Sequence, residues 1–347
     1  MTAALRAAVV GTGYWGPNLA RNLRSSADWE LAAICDLNLD RARKVAGRDA
    51  GVRVVQQLDD VLADDSIDAV VVATPAGTHA DIAMQVLESG RHALVEKPLA
   101  SSYAEAAKLV QRAEQLGLVL MCDHTYCYTP AVQKIAQLVA DGELGDIQFV
   151  DSMRLNLGIV QQDVDVMWDL APHDLSILDV VLPPEAHWTG VAAHGADPIG
   201  AGHACVAYLT LPLASGAIAH THVNWLSPTK IRTMVIGGTR RTLVFDDLNP
   251  QQRLSIYDRG VDLSTAGDSA EQTWAARVSY RLGDMVAPAL PEREALGAVV
   301  TEFAAAIREG RPPRTDGRSG LRVLEVLEAA TRSLATGGAL LPVGGDK

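Results

Sequence analysis

The stretch MWDLAPHDLS, Met167–Ser176, sets Asp169 four residues before His173, a spacing that puts both side chains on one face of a helix. An imidazole with its ordinary pKa of roughly 6.5 can take a proton from a hydroxyl at neutral pH. Asp169 can orient that ring or bind a second hydroxyl. Pro172 stands between the two. With Asp169 as the N-cap, the proline falls in the first helical turn, where its missing N–H leaves no orphan. The same residues equally describe a capped helix carrying an incidental histidine, and as a cap Asp169 keeps only its second oxygen for other work.

Lysine occurs only six times in 347 residues, so Lys97 in VEKP, straight after an apolar run, stands out. Open α/β sheets place their ligands at the carboxyl ends of strands. A lysine there can orient a hydroxyl or carbonyl oxygen and keep a neighbouring base neutral. Taken alone, it is also what a solvated strand-end lysine looks like.

VVGTGYWGPNLARNL carries Gly11, Gly13 and Gly16 in GxGxxG spacing between a strand pattern and a helix pattern. Such glycines permit a tight turn and close backbone approach, so that a helix amino terminus meets a pyrophosphate. Asp36 follows Gly16 by 20 residues at the end of the next strand pattern. A carboxylate there accepts from a ribose 2′-hydroxyl and repels a 2′-phosphate, which favours NAD over NADP. Arg41 and Arg43, further along, keep NADP open.

These residues need a frame. Over the first 120 residues, apolar runs (LRAAVVGTG, LAAICD, AVVVATP, HALVEKP, LVLMCD) alternate with helical patterns, as in a parallel sheet covered on both faces. After about residue 124 one helix, TPAVQKIAQLVADGELG, leads into runs of alternating polarity from IQFVDSMRLN to RTLVFDD, which suit a mostly antiparallel sheet. STAGDSAEQTWAARVSYRLG has no clear period and reads as a loop excursion. Helices near 292–309 and 318–336 close the chain. The expectation is an α/β protein of two domains, a Rossmann NAD-binding domain over 1–124 and an α/β domain for substrate and oligomer contacts over 125–347.

Composition narrows the function. A formal charge of −12, with no basic block, argues against nucleic acid. No apolar run approaches a membrane span and no signal peptide opens the chain, so no membrane partner and a cytoplasmic location are expected. The four cysteines lie in apolar segments without a disulfide framework. Cys122, His124 and Cys127 lack a second pair at zinc spacing, so no metal is expected.

The glycine fingerprint, TPAGTH and VEKP, in this order, resemble the Gfo/Idh/MocA family of NAD(P)-dependent sugar and inositol oxidoreductases. The resemblance continues through GELGDIQFVDSMRLNLG, MWDLAPHDLSIL, NWLSPTKIRTMVIGGTRRTLVFDD and GLRVLEVLEAATRSL, over nearly the whole chain. Within the family these segments are most similar to the nucleotide-sugar 3-dehydrogenase branch and its antibiotic-pathway relatives. The resemblance implies a Rossmann domain followed by an open, mainly antiparallel sheet often used for dimer or tetramer contacts. It implies that Lys97 touches substrate and nicotinamide ribose, that Glu96 supports the cofactor, and that Asp169 and His173 are the downstream pair, with His173 as acid/base. A histidine there, rather than tyrosine, favours the dehydrogenase direction. Tyr14, Trp15, Thr74, Pro75, His79 and Trp168 complete the residues assigned to the cofactor.

For the substrate, Tyr126, Arg154, Asn156 and Gln162 are the candidates. Arg154 and Asn156 share one strand face by period two, whether that face binds a ligand or meets solvent. His220, His222 and Asn224 share another, read as a solvated or subunit-contact face. Lys230, Arg232, Arg240 and Arg241 suit a diphosphate or simply flank two strands. Asp165 stands where the nucleotide-sugar branch usually has asparagine, and added negative charge suits a cationic amino sugar better than a uronate. The reading is an NAD-dependent dehydrogenase oxidising a ring hydroxyl, at C3, of a hexopyranose or amino sugar, nucleotide-linked or within an aminoglycoside-type intermediate, in a homodimer or homotetramer. An inositol dehydrogenase, a ketosugar reductase and a non-catalytic NAD/sugar-binding sensor are the alternatives.

Overall fold

The structure is a computed structural model that describes residues 3–263 and 278–344. Six strands form an all-parallel sheet: β1 (Leu5–Val10), β2 (Trp29–Cys35), β3 (Arg53–Val55), β4 (Ala69–Val72), β5 (His92–Glu96) and β6 (Leu120–Asp123). Their order is β3-β2-β1-β4-β5-β6, so the winding reverses between β1 and β4, the switch point where such sheets take ligands. β4 is buried at every position, as a strand covered on both faces must be. Helices α1 (Gly16–Ser25), α2 (Leu39–Ala46), α4 (His79–Glu88) and α5 (Tyr103–Leu116) match the expected ones. The short β3 and α3 (Leu58–Leu62) are additions.

Packing divides the chain into two compact units, and the first is discontinuous: Met1–Pro130 with Leu175–Val180 and Glu292–Glu328. Much of that late sequence is core. Leu296, Val299, Val300 and Phe303 of helix Ala295–Glu309 are buried among Leu19, Leu23 and Trp29. Phe303 stacks on Trp29 at 5.4 Å, and the Trp29 indole donates to the Val300 carbonyl at 2.7 Å. A boundary after residue 124 follows chain order; packing returns two later segments to the first unit.

The second unit is built on a nine-stranded sheet. Its strands are β7 (Ile147–Leu157), β8 (Gly190–Ala196), β9 (Val206–Pro212), β10 (Ile218–Asn224), β11 (Leu226–Gly238), β12 (Thr242–Asp246), β13 (Leu254–Leu263), β14 (Val278–Val286) and β15 (Leu341–Pro342). The order is β14-β13-β12-β11-β7-β10-β9-β8-β15, antiparallel except where β10 runs parallel to β7. Burial alternates along β9 and β10, the mark of one covered face. The loop excursion read over 264–283 is corrected at its end, because Val278–Val286 is a strand paired with β13; the rest of it lies outside the described residues. Among the described residues no helix is long and apolar enough to cross a membrane.

Candidate functional site

In the first unit, Gly11 follows β1 with φ +97°, a left-handed conformation that favours glycine. A Cβ on Gly11 would lie 2.6 Å from the Ala73 carbonyl carbon, and one on Gly16 would overlap the Gly11 carbonyl oxygen. Gly13 instead has nothing within 4 Å of its Cβ position. No side chain caps the amino end of α1, where Trp15 is the N-cap residue and Pro17 occupies the first turn. Tyr14 is 84% exposed and meets Trp15 edge-on at 5.2 Å. A close-packed turn with one open glycine and an uncapped helix end is what a pyrophosphate requires.

Asp36 directly follows β2, buried, with every acceptor position used. Its Oδ2 accepts from the Thr12 backbone at 2.7 Å and the Thr12 hydroxyl at 2.6 Å. Its Oδ1 accepts from the Asn38 backbone at 2.7 Å and Arg41 at 3.1 Å. Burial pushes the carboxyl pKa up, but the Thr12 and Asn38 donors and the Arg41 charge outweigh it and hold Asp36 below the usual range.

Thr74 and Pro75 form the turn after β4. The buried His79 ring sets Nδ1 2.7 Å from the Pro98 carbonyl and Nε2 2.8 Å from the Thr74 carbonyl. His79 thus ties the loop after β4 to the loop after β5, and burial, reinforced by Lys97, lowers its pKa. Glu96 is the last residue of β5 and half-buried Lys97 follows it directly, through a cis peptide to Pro98. Tyr126 is half-buried on the 3-10 turn Thr125–Tyr128. Cys122, His124 and Cys127 are buried; burial pushes Cys127 up to about 12 and raises Cys122 as well. Among the described residues no group of three or more His, Cys, Asp or Glu side chains is arranged to hold a metal.

The second unit positions the other residues, beginning with a correction. A helix spans Val166–Val181, so Asp169 lies within its first turn and not at the position before it. The Asp169 N–H bonds back to the Asp165 carbonyl at 3.2 Å, and Asp165 Oδ1 accepts from the backbone of Met167 at 2.9 Å and Trp168 at 3.0 Å. Asp165, not Asp169, is therefore the N-cap, and Pro172 lies inside the helix, where it removes the i+4 donor of the Trp168 carbonyl. Asp169 is released from capping. Its Oδ2 accepts the Trp225 indole N–H at 2.9 Å, and Trp225, 1% exposed, is also met edge-on by His203 at 5.8 Å. His173 is half-buried one turn further along. Burial raises the Asp165 carboxyl pKa, and the Met167 and Trp168 backbone donors oppose that rise.

Arg154 does not meet solvent. It is 3% exposed and forks onto Asp174, with Nε 2.9 Å and Nη2 3.1 Å from the carboxylate oxygens. Asn156, two residues along β7, is half-buried, and Gln162 is exposed. The Trp168 indole donates to the Thr331 hydroxyl at 2.9 Å. His220 and His222 share their face with Tyr208, which stacks on His222 at 4.3 Å. Arg232 pairs with Asp247 and Arg241 with Glu143. Four residues of consequence lay outside the candidates: Thr12, Asp123, Asp174 and Trp225. Asp123 was the most accessible, since an acid ends each of two successive strands, VEKP and LMCD.

Residues 5–124 match the Gfo/Idh/MocA oxidoreductase family, NAD-binding Rossmann fold, and residues 132–244 match the Gfo/Idh/MocA C-terminal domain. The chain is 30% identical over 324 residues to a UDP-N-acetylglucosamine 3-dehydrogenase of Acidithiobacillus ferrooxidans, covering 92% of this chain and 94% of that protein. The solved structure of that enzyme, GnnA, superposes with a TM-score of 0.77 at 29% identity, covering 96% and 97% of the two chains. GenD2 from gentamicin A biosynthesis, in complex with NAD, gives 0.80 at 28% identity, covering 99% and 98%. Glycine turn, strand-end acid and lysine, and the two matched domains together make this chain a member of the Gfo/Idh/MocA family of oxidoreductases.

Proposed function

We propose that the chain is an NAD-dependent dehydrogenase that oxidises a secondary ring hydroxyl, at C3, of a hexopyranose or amino sugar to the ketone. The sugar is nucleotide-linked or part of an aminoglycoside-type antibiotic intermediate. The printed activities of two relatives, one on UDP-N-acetylglucosamine and one in gentamicin A biosynthesis, support this class. The observation that carries the reading is the release of Asp169 from helix capping, which leaves a tryptophan-held carboxylate one turn from His173.

The turn at Gly11 and Gly16, the amino end of α1 and Asp36 would hold NAD, which would supply the acceptor for the hydride of the carbinol carbon. His173 takes the hydroxyl proton, so the alcohol loses one hydride and one proton in all. Lys97 donates to the same oxygen and steadies the alkoxide as it forms. Asp169 orients the imidazole or holds a second hydroxyl. Asp36, with Thr12 fixing its carboxylate, selects the unphosphorylated ribose.

NADH absorbance tests the reading with UDP-sugars and aminoglycoside intermediates. Lys97→Ala and His173→Ala should each lower kcat about 100-fold or more, the scale of general acid–base catalysis. Binding of cofactor and sugar without hydride transfer under any condition would leave a sensor instead. The assembly we assign is a homodimer or homotetramer through the open face of the nine-stranded sheet, where Tyr208 and Ile218 are 41% and 49% exposed. A monomer in sedimentation velocity would end that assignment.

A further inference from the structure

β5 and β6 run parallel with Glu96 opposite Asp123. Both acids are buried, 8% and 2% exposed, and their carboxyl groups are within hydrogen-bonding reach of each other. Asp123 accepts from the Thr125 hydroxyl on Oδ1 at 2.8 Å, while its Oδ2 is buried with no donor among the described residues. Glu96 accepts the Lys97 backbone N–H at 3.2 Å. Ionised carboxylates are acceptors only, so two of them cannot bond each other, and two buried negative charges in contact repel. One proton between them supplies the missing donor and removes one of the charges.

We propose that Asp123 is a positioning residue acting through Glu96: the two carboxyl groups share one proton, so the pair carries a single negative charge against the single positive charge of Lys97. The consequence rests on the dehydrogenase reading, in which Lys97 orients the substrate oxygen. A doubly charged pair would hold the ammonium to itself, and an uncharged pair would offer it no charge. A single charge balances it.

Burial, with the Asp123 charge adding to it, raises Glu96 well above the carboxylate range, and burial lifts Asp123 to about 6. The pair therefore holds one proton at neutral pH and takes a second below about 6. Among the described residues the other groups around it are Lys97, the Cys122 and Cys127 thiols, and the His124 ring, which feels both Lys97 and Asp179. Burial keeps that ring neutral down to about 4, so it does not compete for the proton.

Asp123→Asn tests this, because an amide can donate to an ionised Glu96 in place of the shared proton. Infrared spectra of the unliganded protein at pH 8 should show a protonated carboxyl band in wild type that the variant lacks. No band in wild type, or the same band in both, overturns the shared proton, and this readout needs no turnover. The acid limb of log kcat/KM, set in wild type in part by the second proton of the pair, should move to lower pH in the variant, where the amide donor holds Glu96 ionised. Equal limbs overturn the action on Lys97. Complete absence of sugar oxidation removes the dehydrogenase reading and with it the consequence for Lys97, while the infrared band still decides the proton.

Discussion

Arg41 takes the last acceptor position on Asp36, 3.1 Å from Oδ1, after Thr12 and Asn38 have used the others. An ionised carboxylate offers about four lone-pair sites. A ribose hydroxyl can therefore bond Asp36 only by displacing a donor, and the Arg41 side chain, 58% exposed, is the cheapest to move. The same guanidinium is the group that would receive a 2′-phosphate. Arg41→Ala should shift the NAD-to-NADP affinity ratio toward NAD by roughly tenfold, since a hydrogen bond to a charged group contributes about 1.5–3 kcal/mol. Fluorescence titration with both cofactors measures it, and an unchanged ratio would show that Arg41 is a bystander.

The Trp225 indole N–H donates to the Asp169 carboxylate at 2.9 Å, and that N–H is the atom that matters. Trp225→Phe keeps most of the buried ring and removes that donor. We expect kcat to fall about tenfold, in line with the loss of one hydrogen bond to a charged group, while the affinity for cofactor stays as in wild type. Equal losses in both would mean that the ring, not the bond, is what counts.

The Arg154–Asp174 pair should matter for stability before it matters for substrate. Both partners are nearly inaccessible, at 4% and 5% side-chain exposure. Breaking such a pair from one side costs about 3–5 kcal/mol because a buried charge is left behind, whereas replacing both partners with apolar side chains can be close to neutral. Urea unfolding of Arg154→Met, Asp174→Leu and the double variant separates these outcomes. Similar losses in all three would contradict the account.

His124 gives a pH signature with a definite sign. Burial holds its pKa down at about 4 against an ordinary 6.5, so between those values the unfolded chain binds a proton that the native protein refuses. Its contribution to stability is present above about 6.5 and is lost as pH falls toward about 4. Asp123 acts in the opposite sense: raised to about 6, it favours the native state at low pH and loses that advantage as pH rises through 6. His124→Asn removes the first effect and keeps the second. The variant should therefore gain stability relative to wild type by about 3 kcal/mol between pH 7.5 and pH 4.5, the scale of two pKa units, in urea unfolding at both pH values. A constant difference would rule out the buried neutral ring.

The parallel sheet was legible because its strands are continuous apolar runs and its turns carry glycine at fixed spacing. β3 and α3 were not, being only three and five residues long, too short to show a period. β14 was hidden for a different reason: Tyr280 and Leu282, 72% and 83% exposed, leave it without the alternation that marks a covered strand. The Asp169 N-cap was the natural inference from a following proline, yet the cap is set by where the Asp165 carboxylate meets the chain, and Pro172 is accommodated inside the helix. Arg154 could be placed on a strand face from its period of two, but its partner Asp174 lies 20 residues on and is brought near only by the fold. Trp225 was visible only as part of a motif, since no local rule connects an indole to a carboxylate 56 residues earlier.

The discontinuity of the first unit reaches back to how the chain is made. Its core needs Leu296, Val299, Val300 and Phe303, which emerge from the ribosome after every strand of the nine-stranded sheet except β15. The nucleotide-binding half, first in sequence, is thus sealed late. A nascent chain stopped near residue 290 must carry an open groove along Leu19, Leu23 and Trp29, and expression of residues 1–130 alone yields a fragment with that groove exposed to other apolar chains.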